Sequence, residues 1–283
     1  MGRVGIGLMV WLAVLPVVGG EMFTGVEVDE GRVVKQQLYE DSQEACGPAA
    51  MANALRFGVP GMRAALDSLV GNDDTTRLRF LIDRYFKNVP SEIFPTAKRL
   101  GHKGVLAVDL KNACNDLLRE HNLEPLDQLE LHRLDGERDR DFLERVHGKL
   151  LRSLRRGTPP IIQVRSYAAM QEEEGGAKVV WKATNNHFLV VTRVPTELRK
   201  QDMGFVFDAI DPNGGRLVSG YVFGEPHLPF QAEKGQDSPT QVEWLSGRPF
   251  LLVKAPGVVS LQPRKAIWRD RVVVALSAVI GSF

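Results

Sequence analysis

Residues 44–57 read EACGPAAMANALRF, and the rest of the chain is best understood outward from them. Ala50, Ala54 and Phe57 recur at helical spacing with Met51 and Leu55 beside them, which predicts a helix with a broad apolar face. Pro48 suits the first turn, where its missing N–H is not needed, and Gly58 with Val59-Pro60 ends the helix. Cys46 therefore stands at the N-terminus of a helix whose other residues are bound for the core. There the unpaired backbone N–H groups and the positive end of the helix dipole favour thiolate over thiol. A thiolate is a nucleophile, and the same N–H groups suit the oxyanion formed when it attacks a carbonyl. A lone cysteine is more often a small buried residue, or here one half of a Cys46–Cys114 disulfide, so its context has to decide.

Before this helix, Arg32–Leu38 (RVVKQQL) reads as a short strand or extended lead-in, followed by the polar EDSQE. After it, Met62–Val70, Thr75–Phe86, Glu92–Leu100 and Leu110–Glu120 carry apolar residues at spacings of three and four, which predicts helices. Arg140–Arg156 is the clearest amphipathic segment, with Phe142, Val146, Leu150 and Leu154 on one stripe, Asp139 as cap and Gly157 closing it. Beyond Pro159-Pro160 the character changes to strand: IIQVRSY, KVVWKAT, HFLVVTRV, FVFDAID, RLVSGYVF and FLLVKA, separated by Gly, Pro and charged loops. Helices first and strands afterwards give an α+β fold, a helical N-terminal half packed on a mainly antiparallel C-terminal sheet.

Composition narrows the function classes. Thirty-six basic residues against 35 acidic ones leave a net charge of +1, so no global field gathers nucleic acid or acidic lipid, and no nucleic-acid partner is expected. Two cysteines cannot build a disulfide scaffold, and with no CxxC pair a zinc site is not expected either. Arg3 followed by the uncharged run Ile6–Gly19 has the form of a secretory signal over residues 1–20, too short for a membrane span of about 20 residues. Export to the periplasm, the cell envelope or the exterior follows. At the other end, basic residues Arg264 to Arg271 precede the apolar Val272–Phe283, about 18 Å long if helical and short of a bilayer core. A docked helix or strand is the favoured reading of this 254–283 tail, with peripheral membrane contact the second.

Gln37…Glu44-Ala45-Cys46-Gly47-Pro48-Ala49-Ala50 resembles the nucleophile helix of papain-like bacterial cysteine peptidases, in particular the double-glycine leader (bacteriocin-processing) peptidases and their stand-alone secreted relatives. Asn186-His187-Phe188-Leu189-Val190-Val191 is similar to the strand that starts with that family's catalytic histidine. Asp211-Pro212-Asn213-Gly214-Gly215 is similar to the turn that orients it, and Arg156–Ile162 to the family's helix-to-strand junction. The likeness spans residues 33–253 and is specific over three short motifs. It implies a papain-like fold, no cofactor, a peptide or protein substrate, and catalysis by Cys46, His187 and Asp211.

Each of these residues also has a plainer reading. His187 could merely close a loop, but it stands where polar Thr184-Asn185-Asn186 give way to FLVV, at the mouth of a strand. His102, His121, His132, His147 and His227 lack that setting. Asp-Pro-Asn-Gly is good turn chemistry in its own right, and Asp208, three positions earlier, is the fallback partner for the imidazole. The resemblance further implies a glutamine that donates to the oxyanion. Gln37 is assigned, ending the extended VVKQQ segment; Gln43 is nearer the thiol, and Gln36 should point to the opposite face. The 24 positions from His187 to Asp211, including ELRKQD, are read as an elongated hairpin. The acidic Ala168–Ala177 segment is read as a loop near the site.

A thiol peptidase acting through a thioester is the leading expectation. Another acyl-transfer enzyme on the same fold, an amidase or a phytochelatin-synthase-like transpeptidase, is the first alternative. A non-catalytic binding domain that kept the fold is the second. The chain carries no transporter or ATP-binding portion, so the family's leader-trimming role is not carried over.

Overall fold

The computed structural model describes residues 22–101, 104–129, 131, 133–171, 179–225, 231–232, 250–261 and 272–283. The signal-like segment 1–20, most of the acidic 168–177 segment, Arg264 to Arg271, and His102, His132 and His227 lie outside them. The chain is mixed α+β. A short strand, β1 (Phe23–Gly25), precedes the central helix α1 (Cys46–Arg56), then α2 (Pro60–Asp67) and α3 (Asp74–Ile82), which runs on into one π-helical turn. A two-stranded ribbon follows, β2 (Leu100–Gly101) with β3 (Gly104–Val105), then α4 (Ala107–Glu120), β4 (Asp127–Leu129) and α5 (Asp139–Arg155). The strand-rich half comprises β5 (Ile161–Gln171), β6 (Val179–Pro195), β7 (Gly204–Asp211), β8 (Arg216–Glu225), β9 (Gln231–Ala232), β10 (Phe250–Lys254) and β11 (Val272–Gly281).

Six of these strands close into an antiparallel barrel in the order β6–β5–β11–β10–β8–β7, with β7 pairing back onto β6. Alternation along the strands divides the core in two. Val164, Leu189, Val191, Phe207, Val218, Val253 and Leu276 gather in one cluster, together with Phe142, Val146, Leu150 and Leu154 from the apolar stripe of α5. Ile161, Phe188, Val190, Ile210, Ala278 and Ile280 join the helices α1 to α4 in the other. Every residue of α1 is buried, its terminal Arg56 included. That charge is tolerated because Arg56 forks onto Asp74 at 2.5 and 2.7 Å and reaches the Arg32 carbonyl at 2.6 Å. The Arg56 guanidinium in turn holds the Asp74 carboxyl below the usual range. Removing one partner of such a pair costs on the order of 3–5 kcal/mol.

Several expectations need correction. Glu92–Leu100 is not a helix: Pro95 cannot continue one, and the buried Asp109 carboxylate instead accepts from Ser91 Oγ at 2.7 Å and Glu92 N–H at 2.9 Å. The lead-in is not a strand, since Glu30–Arg32 and Gln36–Leu38 are 3₁₀ turns flanking a short extended piece. KVVWKAT and HFLVVTRV are one strand, β6, paired with β5 along its length through an irregularity at Ser166 and Tyr167. Asp139 is the first residue of α5, and the Arg138 guanidinium before it donates to both carboxylate oxygens of Asp141 at 2.8 Å. Within the 254–283 tail, Val272–Gly281 forms the barrel stave between β5 and β10.

On α5, His147 is buried, donates from Nε2 to the Pro195 carbonyl at 2.9 Å and meets the Phe205 ring edge-on at 5.0 Å. Burial pushes its pKa below the ordinary 6.5; the Pro195 carbonyl and Glu144 oppose this, and Arg140 and Arg155 reinforce it. The ring is thus neutral in the fold, and the stability it contributes, present above 6.5, is lost as the pH falls below that value. Urea unfolding midpoints followed from about pH 7 to about pH 5 should therefore drop further for the natural chain than for His147→Gln, which cannot titrate.

Candidate functional site

The nucleophile candidate owes its place to α1. Cys46 is the first residue of that helix and only 5% exposed. Gly47 beside it lets the helix start lie close to β3 and β6: a Cβ there would sit 2.2 Å from Val105 Cγ1 and 3.4 Å from the Phe188 ring. Asn53, seven residues on and on the same helix face, is fully buried. It accepts from Val34 N–H at 2.8 Å and donates to the Val34 and Ala49 carbonyls at 2.8 and 2.9 Å. The lead-in is thereby tied to the nucleophile helix.

β6 and β7 are adjacent antiparallel strands, with Val190 opposite Ile210 and Val191 opposite Ala209. His187, 2% exposed, donates from Nε2 to Asp211 Oδ1 at 2.7 Å, and the Cys46 side chain is near enough to act electrostatically on its ring. Burial alone would lower the histidine pKa. The Asp211 hydrogen bond and the negative charge of the neighbouring Asp211 and Cys46 groups overcome it and raise the value to about 9. Asp211 is fully buried, and its Oδ1 also accepts from Asn213 N–H at 2.8 Å, an Asx turn that aims the carboxylate. Gly214 and Gly215 follow with φ of +93° and +65°, a left-handed pair that side-chain-bearing residues rarely adopt. The structure thus brings Cys46, His187 and Asp211 together.

It does not bring Gln37 to the thiol. Gln37 is exposed, donates to Asn213 Oδ1 and accepts from Gly214 N–H at 3.1 Å. Because residues 36–38 form a 3₁₀ turn, the inward position falls to Gln36 instead. Gln36 is buried, donates from its backbone to the Pro212 carbonyl at 3.0 Å and from Nε2 to the Ser42 carbonyl at 2.9 Å. Its Oε1 is buried without a hydrogen-bond partner among the described residues. Asp208, the fallback for the imidazole, lies elsewhere, bonded to Arg193 at 2.6 Å and Ser219 at 2.7 Å. Asn53 and Asn213 escaped the sequence reading. A polar residue at a core position of an apolar helix signals the first, and the residue after Asp-Pro in the turn signals the second.

Cys46 and Cys114 are both free thiols, which excludes a disulfide between them in this structure. Cys114 is enclosed in α4, where burial pushes its thiol up to about 12. No group of His, Cys, Asp and Glu side chains suited to a metal ion occurs among the described residues. No helix there is long and apolar enough to cross a membrane. No family model, curated protein or solved structure matches the chain.

Two outcomes follow from this geometry. Brief iodoacetamide treatment at neutral pH, read by peptide mass mapping, should label Cys46 while leaving Cys114 untouched until the chain unfolds. Gly47→Ala should lower both the melting temperature and the Cys46 labelling rate, because its methyl group would overlap Val105 of β3 and press on Phe188, the residue after His187, so that the helix start must shift.

Proposed function

We propose that the chain is a cysteine peptidase with a papain-like arrangement of helices and barrel, resembling the double-glycine leader peptidases in its three motifs. The observation that supports this best is the buried His187–Asp211 hydrogen bond at 2.7 Å with Cys46, the first residue of α1, beside the ring. With a neutral imidazole beside it and a helix N-terminus beneath it, the thiol gives up its proton to His187, which becomes the imidazolium. The thiolate attacks a peptide carbonyl carbon, forming the C–S bond and moving an electron pair onto oxygen. Backbone N–H groups at the start of α1 receive that oxyanion, and Gln36, the inward glutamine, replaces Gln37 as the side-chain donor. Collapse of the adduct breaks the C–N bond while the imidazolium protonates the departing amine. His187 then takes a proton from water, which attacks the thioester and releases the acid. Asp211 keeps the ring in the tautomer and orientation that both transfers need. Export belongs to the same proposal, on the strength of the run Ile6–Gly19 behind Arg3.

A peptide library incubated with the protein and read by mass spectrometry tests the reading. Cys46→Ala should abolish cleavage and His187→Ala should lower it at least about a hundredfold. Asp211→Asn should lower it less, and Cys114→Ala should leave most of it. Cleavage should persist up to about pH 9 and fall above it, as the imidazolium that protonates the leaving amine is lost. Loss of cleavage in Cys114→Ala, or its survival in Cys46→Ala, would sink the proposal.

A further inference from the structure

We infer that Gln37 is a positioning residue: through Asn213 and Gly214 it fixes the turn that aims the Asp211 carboxylate at His187. The inference rests on the peptidase reading and deepens it. Gln37 is exposed, so no packing holds it, yet both ends of its amide are used on this turn. Nε2 donates to Asn213 Oδ1 and Oε1 accepts from Gly214 N–H. The backbone N–H of the same Asn213 donates to Asp211 Oδ1, the oxygen that accepts the His187 hydrogen bond. A single residue therefore separates the Gln37 amide from the carboxylate.

The neighbours of Gln37 act in the same direction. Gln36 N–H bonds the Pro212 carbonyl, and the Lys35 stem lies against Gly215, where an added Cβ would come within 2.5 Å of it. Val34 is bound on the other side to Asn53 of α1. The segment 34–37 thus bridges the helix that carries the thiol and the turn that carries the carboxylate. The turn closes the β7–β8 hairpin, where Asp211 stands opposite Arg216, and Gly214 and Gly215 bring it no side chains of their own. Asp211 Oδ2 has no hydrogen-bond partner among the described residues, and the Arg216 guanidinium stands 3.9 Å away. The aim of the carboxylate is therefore set by the two bonds of Oδ1. The charged groups around the imidazole are Asp211 from β7 and Cys46 from α1, with Arg216 of β8 beyond the carboxylate and Lys35 across the turn. Gln37→Ala alters none of these charges.

An isotope-edited NMR titration of the His187 ring in the full chain, from about pH 5 to about pH 11, tests the role. The natural protein should titrate near 9, and Gln37→Ala should titrate lower by roughly half a unit, about a threefold loss of proton affinity, because one hydrogen-bonded support is gone. The melting temperature, measured alongside, should barely move for so exposed a residue. Asn213→Ala, which removes the other end of the bond, should give the same shift and carries the test if Gln37→Ala does not fold; the double variant should add nothing. An unchanged His187 titration in these variants, with Cys46 still alkylating much faster than Cys114, overturns the positioning role and leaves the peptidase reading standing. A natural protein whose His187 titrates near 6.5 and whose Cys46 alkylates no faster than Cys114 overturns both.

Discussion

The closeness with which α1 approaches the barrel governs everything else in this protein. A helix buried along its whole length can lie that near only if its contact residues are small, and Gly47, Ala49, Ala50, Ala52 and Ala54 supply this. At Gly47 the helix start is wedged between the β2–β3 ribbon and the barrel, where one methyl group would overlap Val105 and touch the Phe188 ring of β6. Moving the helix outward by an ångström or two would not merely open a gap in the core. It would separate Cys46 from His187, whose strand forms the opposite wall, and with that separation the two charges would face a low dielectric alone. Packing here is the precondition for electrostatics.

The electrostatics then impose their own constraint. Cys46, His187 and Asp211 are all nearly excluded from water, so an unpaired charge on any of them would be costly. The fold answers by giving the imidazole an acidic partner on each side, which more than offsets the burial that would otherwise keep the ring neutral. His147 is the internal comparison. It is also buried, but its partner is a neutral carbonyl and its nearest full charges include two arginines, and its pKa is displaced in the opposite direction. Two histidines in one chain thus have their pKa values displaced in opposite directions for reasons visible in their neighbours.

The residues that meet at the site were legible because each sits at a local pattern with its own physical meaning. Cys46 opens an apolar helix, His187 opens an apolar strand, and Asp211 starts a turn rich in Pro, Asn and Gly. What depended on conformation over a few residues was not legible. Choosing between Gln36 and Gln37 required knowing that residues 36–38 wind into a 3₁₀ turn, which reverses which of the two points inward relative to an extended chain. The apolar spacing in Glu92–Leu100 suggested a helix, yet Pro95 and the Asp109 carboxylate favoured an irregular loop. The last apolar run was ambiguous for another reason. A strand with neighbours on both edges and both faces buried shows no alternation, and a short uniform run fits a helix equally well.

That last strand carries a structural consequence. β6, which bears His187, is held laterally by β5 and β7, and β5 is held on its other edge by β11. The stave that secures the histidine strand is thus itself secured by residues 272–281. The lead-in 33–38 is bound at the opposite end of the sequence to α1 and to the Asp211 turn. The site is therefore assembled from contacts of very large sequence separation, and none of its three side chains reaches its place through local structure alone. Such a site forms only when the barrel closes, since ordering these segments earlier would cost chain entropy with few contacts in return. Before closure Cys46 is an ordinary thiol at the end of an unsupported helix; after it, the same sulfur faces an imidazole fixed by a carboxylate. Barrel closure and formation of the reactive site are one event.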